Sequence, residues 1–291
     1  MVAAKQTRQD KDISAEPHFS AGRLATGLLA VAMAVVGLLI GVQLKGHYPL
    51  EHNFHDEIDS PVLALELSTD VQDLNEVLHT VTPGQAKPDT DAGKAVACLR
   101  TNTYEDFFFI PLYTSFLWAF AVLFSAGTRH LAHRAAILAI VILVAAFDCT
   151  ENFGILRALD AFSLSPSTAK AICWPSGCKW GLFAVALLFT GWILVRSSSL
   201  LYSLATRRLL GLAYGAAGIL MLIGLMKPHV IELATSVFAL LTIINIVGLL
   251  GPYIERLFLG AQRPVYVDDF CYRKARMQAD VAVYPSPTSG T

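Results

Sequence analysis

Asp148, Glu151 and Asn152 stand inside an apolar run that reads AAILAIVILVAAFDCTENFGIL from Ala135 to Leu156. If the run is helical, spacings of three and four put all three side chains on one face. An acidic residue near the centre of a membrane-spanning helix costs roughly 2.5–3.5 kcal/mol on insertion scales, so it faces a partner, a cavity or a substrate. Two neighbouring carboxyl groups can share a proton, which suits proton-coupled transport and general acid–base chemistry equally. Other charged residues flank the apolar runs. Asp106 opens one run behind Glu105, Lys179 precedes Trp180, and Glu232 follows His229 at the start of the last. The spans' orientation predicts that Asp106, Asp148, Glu151, Asn152, Lys179 and Glu232 meet in one layer of the outer leaflet. Two readings of that layer stay open. It is either a salt-bridge and hydrogen-bond layer that fixes helix register, or a polar pocket, open to the outside, for a small molecule, headgroup or ion.

Other residue types are weaker pointers. The segment GHYPLEHNFHDEIDS carries His47, His52 and His55 beside Asp56, a set able to bind zinc or another divalent ion. Its spacing matches no helical H-E-x-x-H pattern, and a solvated loop is the preferred reading. Cys173 and Cys178 bracket Trp-Pro-Ser-Gly, a turn signal that could close a short disulfide loop, with Cys98 as a rival partner. The chain has neither a Gly-rich phosphate loop nor a nucleophile elbow, and no motif calls for a cofactor. A formal charge of -1 removes the electrostatic case for nucleic acid.

Long apolar elements must position these residues. The 291-residue chain is 54% hydrophobic and 15% charged, with a mean hydropathy of +0.52. A soluble domain carries about 25% charged residues. The fold predicted is an all-α integral membrane protein, a bundle of about six transmembrane helices. The spans run Leu24–Leu44, Phe107–Ser125, Ala135–Leu156, Trp180–Val195, Leu209–Met226 and Val230–Leu250. The first is too long for a signal-peptide core and reads as a retained anchor. Lys and Arg crowd the joints on one side, which puts both termini in the cytoplasm. Residues 1–22 then form a flexible cytoplasmic N-terminus, 23–44 the first span and 45–105 a small extracytoplasmic cap. Residues 106–255 hold the other five helices, and 256–291 form a disordered cytoplasmic tail. Within the cap, VLALELS reads as an extended piece. Thr69–His79 reads as a helix opened by a Thr69–Gln72 capping box, and residues 93–103 as a second helical piece. The cap holds too little apolar content for a large core of its own, so it should rest on the outer ends of the spans. Gly211 and Gly215 make a small-xxx-small pattern suited to close helix contact within the bundle.

Four segments carry a resemblance: LELS at Leu65–Ser68, YEDFFFIPLY at Tyr104–Tyr113, FDCTEN at Phe147–Asn152 and Lys179–Trp180. Together they resemble a scattered family of small bacterial polytopic membrane proteins with no established activity. The likeness covers roughly Leu65 to Leu225 and implies a bacterial inner membrane, but no catalytic role. The cysteine-bearing third outside loop and the long polar N-terminus depart from the family pattern, which points to lineage-specific partners. The functional expectation is an accessory or ligand-binding membrane protein, embedded in the lipid bilayer, with a small ligand, lipid, ion or membrane-protein partner. A proton-linked transporter or channel is the first alternative. An intramembrane lipid or isoprenoid enzyme using paired carboxylates is the second, ranked last because further recognisable catalytic parts are missing.

Overall fold

A computed structural model describes residues 29, 31–32, 34–37, 58–125, 131–196 and 203–259. The described residues are helical, with no strand among them. Short helices α1 (Pro61–Glu66) and α2 (Val71–Leu78) and a 3-10 turn (Pro83–Gln85) lead into five long helices. These are α3 (Asp91–Ser125), α4 (Leu131–Leu159), α5 (Pro166–Arg196), α6 (Leu204–Gly224) and α7 (His229–Leu259). Their apolar stretches run 33, 28, 31, 21 and 20 residues. At ~1.5 Å per residue each is long enough for a ~30 Å hydrocarbon core. Side chains such as Ile142, Leu212 and Val247 are exposed on the outside of the bundle. In water that surface would be a liability; in lipid it is the proper exterior. The chain reads as a polytopic helical membrane protein. Of the first predicted span, residues 29, 31–32 and 34–37 are described and are helical, with Val31 and Ala34 buried in the main core.

Consecutive long helices pack side by side in a row from α3 to α7. The seam between α5 and α6 is close because glycines face each other across it. A Cβ on Gly191 would lie 2.5 Å from the Gly211 carbonyl oxygen and 3.0 Å from the Gly215 nitrogen. With no hydrophobic drive between helices in lipid, such backbone contact supplies much of the packing. The predicted Gly211 and Gly215 pattern therefore brackets a third glycine, on the neighbouring helix. The ends of the row, α3 and α7, make little contact with each other.

A second apolar core closes one end of the bundle. Ile58, Leu63, Leu65, Leu74 and Leu78 pack there against Leu99 of α3, Ile155 of α4, Ile172 of α5 and Ile231 of α7. The segment before α3 thus rests on helix ends, and α3 continues the second span through residues 91–103 without a break. VLALELS is a helix and not an extended run. Ser60 caps it by accepting from the Leu63 amide at 3.4 Å, and Pro61 stands at its first turn, where no N–H is needed. Because α1 is buried on several sides, its apolar residues show no helical period, and alternation misread it. In α2 the capping box is Asp70 with Asp73, one residue beyond the expected pair. Asp70 accepts from the Gln72 and Asp73 amides at 2.7 and 3.0 Å, while Asp73 accepts from Asp70 in return.

Candidate functional site

The fourth long helix in sequence expectation begins at Trp180, but α5 begins at Pro166, and this extension builds the site. Pro175 lies inside it. Having no N–H, Pro175 leaves the carbonyl of Ala171 without its usual helical donor. That oxygen lies 2.7 Å from where a Cβ would stand on Gly154 of α4. Glycine there lets α4 and α5 approach closely. One turn earlier on α4 is Glu151, and two turns later on α5 is Lys179.

The Lys179 ammonium is the centre of the cluster. It donates to Glu66 Oε2 at 2.9 Å, Asp148 Oδ1 at 3.1 Å and Glu151 Oε1 at 3.0 Å. Glu151 straddles it, its Oε2 making an ion-pair contact at 2.9 Å. An ammonium has three N–H donors. All three are used. Lys179, Glu66, Asp148 and Glu151 are each no more than 6% exposed, so little water is available to stabilise these charges and the cluster must do it. Its outer bonds are also formed. Trp180 Nε1 donates to Glu66 Oε2 at 3.2 Å, and the Lys179 ammonium sits 4.8 Å from the Trp180 ring centroid. The Tyr113 hydroxyl donates to Asp148 Oδ2 at 2.6 Å. The Asn152 amide reaches the other way, to Asp106 Oδ2 of α3 at 2.7 Å.

The polar face of α4 thus serves two neighbours, Lys179 of α5 through Asp148 and Glu151, and Asp106 of α3 through Asn152. Glu232 stands apart from the lysine. Its two oxygens accept from the backbone amides of Ser60 at 2.6 Å and Asp59 at 3.3 Å, ahead of α1. Sequence reasoning did not single out Glu66, Tyr113 or Trp180. Each nevertheless lies in one of the four segments that carried the family resemblance, and the structure brings those four segments together at one place.

A cavity of about 390 Å³ adjoins the cluster, in the space between α3 and α7. Glu66, Asp106, Asp148, Lys179 and Glu232 line its polar part. Phe109, Tyr113, Phe116, Trp180, Phe183 and Phe238 supply aromatic walls. Ala34 and Gly37 of the first apolar segment, and Thr235, Ser236 and Ala239 of α7, also line it.

The expected disulfide is absent among the described cysteines. None of Cys98, Cys149, Cys173 and Cys178 is joined to another of them. Trp-Pro-Ser-Gly is not a turn but part of α5, so Cys173 and Cys178 stand five positions apart on one helix. That separation is ~7.5 Å of axial rise, beyond the ~7 Å that a disulfide can bridge. Cys98 lies on α3. The weak metal candidates His47, His52, His55 and Asp56 fall outside the described residues. Among the described residues no group of His, Cys, Asp and Glu is arranged to hold a metal ion. No protein-family model, curated protein or solved structure matches the chain.

Proposed function

We propose that this protein binds a small amphiphilic molecule within the membrane, in the cavity between α3 and α7, and that it works as a ligand-binding or accessory membrane protein. One observation carries the reading: a cavity of about 390 Å³ with a charged group of residues along one part and aromatic side chains around the rest. Small-molecule sites of ~300–1,000 Å³ are built this way, mostly apolar with a few placed polar groups. The crowding of Lys and Arg at alternate joints supports an outward-facing polar end and an extracytoplasmic cap before α3. The resemblance read from the sequence motifs supports a bacterial inner membrane as its location.

A transporter or an intramembrane enzyme would draw on the same carboxylates. Asp148 and Glu151 both hold Lys179, however, which gives them a structural task and ranks binding first. The test is native mass spectrometry of the full chain extracted with its surrounding lipid. A retained small-molecule adduct is expected. Ala239→Phe, which fills the cavity from α7, should remove the adduct while leaving the protein folded. If the adduct persists unchanged in the filled variant, the cavity is not the binding site.

A further inference from the structure

The bonding around the cavity selects the charge of its occupant. Among the described residues Lys179 is the one cationic side chain lining it, and its three N–H donors are directed at Glu66, Asp148 and Glu151. The cavity's ammonium therefore has, among the described residues, no N–H left for an anionic ligand. Glu232 is committed as well, holding the amides of Ser60 and Asp59. Asp148 is held by Lys179 and by the Tyr113 hydroxyl. Asp106 differs. It lines the cavity and accepts one hydrogen bond from the neutral amide of Asn152, and it forms no ion pair among the described residues. Phe109, Tyr113 and Trp180 line the cavity with it, side chains whose ring electrons attract cations. A carboxylate without a counter-charge, aromatic walls and a saturated lysine together favour a positively charged guest.

Resting on the proposed binding function, we infer that the cavity takes an organic cation, an amine with an apolar body, whose charged nitrogen pairs with Asp106. The apolar body lies along Phe116, Phe183 and Phe238. A fatty acid, phosphate ester or other anion is disfavoured by the same arrangement, because it would meet Asp106 and Glu66 while the Lys179 donors are already taken.

Three probes with one carbon skeleton test this: adamantyl amine, adamantane carboxylate and adamantanol. Each is titrated against the full chain in neutral-lipid nanodiscs, following thermal stabilisation and calorimetric binding. The amine should bind. The carboxylate should bind at least about tenfold more weakly, a difference of ~1.4 kcal/mol. Asp106→Asn keeps an acceptor for Asn152 and removes only the charge, so it should erase the amine's advantage without erasing binding of the alcohol. Phe109→Leu provides a second readout if the first variant fails to fold, and should weaken the amine more than the alcohol. Equal binding of all three probes, abolished by Ala239→Phe, would overturn the cation inference and leave the cavity as a ligand site. Tighter binding of the carboxylate would overturn it as well. If no probe binds either the native chain or its variants, the binding function fails along with the inference.

Discussion

Two buried polar regions of this bundle solve the same problem in opposite ways. On α6 and α7, Asn245 donates to the Tyr214 hydroxyl at 2.7 Å and to the Leu241 carbonyl at 2.7 Å, and both residues are fully buried. The pair is neutral, and neither residue lines the cavity between α3 and α7. Around Lys179, by contrast, the structure gathers carboxyl groups from α1 and α4 onto a single ammonium, with Asp106 of α3 close by. A register-fixing device needs only the first kind of contact, since a neutral interhelical hydrogen bond averages ~0.6 kcal/mol and specifies more than it stabilises. The second kind brings more carboxyl groups together than one lysine can pair with. The difference teaches where to look for function. It lies where polar residues exceed what packing requires and where they also border open space.

The comparison can be broken by removing the centre of each region. Lys179→Met should have the largest effect, because it leaves carboxyl groups buried without their counter-ion. Breaking a buried ion pair by deleting one partner costs ~3–5 kcal/mol. Reversible unfolding in mixed micelles measures this, and a loss below ~1 kcal/mol would show that the cluster does not depend on its ammonium. The seam between α5 and α6 provides a purely apolar control. Gly191→Leu forces a side chain against the Gly211 carbonyl, so overpacking should cost ~1–3 kcal/mol in the same assay without altering ligand selectivity. Tyr214→Phe should have the smallest effect, ~0.6 kcal/mol, because Asn245 keeps the Leu241 carbonyl. If Tyr214→Phe cost as much as Lys179→Met, the contrast between the two regions would vanish.

Much of the site was legible because helical spacing alone puts Asp148, Glu151 and Asn152 on one face. Intramembrane charge then demands a partner, which singles out Lys179. Glu66 escaped notice for a physical reason. Its segment is buried on more than one side, so the apolar residues of α1 carry no 3.6-residue rhythm, and a glutamate beside them looks like part of an extended loop. The cysteine turn failed differently. Trp-Pro-Ser-Gly is a strong local turn signal, but a proline is tolerated inside a membrane helix whose packed neighbours hold the turn in place. Gly154 permits that close approach from α4, and nothing in the local sequence of α5 reports it. Similarly, the glycines of α6 announced a close contact but not its partner, Gly191.

The grip of Glu232 on the amides of Ser60 and Asp59 has a mechanical consequence. Glu232 belongs to α7, one wall of the cavity, while Ser60 begins the short helix that ends in Glu66. The two hydrogen bonds and that six-residue helix act as a connecting rod between the wall and the ammonium. Were α7 to swing outward to admit a larger guest, it would either release the rod or draw Glu66 away from Lys179. The width of the chamber and the charge balance at its far end are therefore geared to one another.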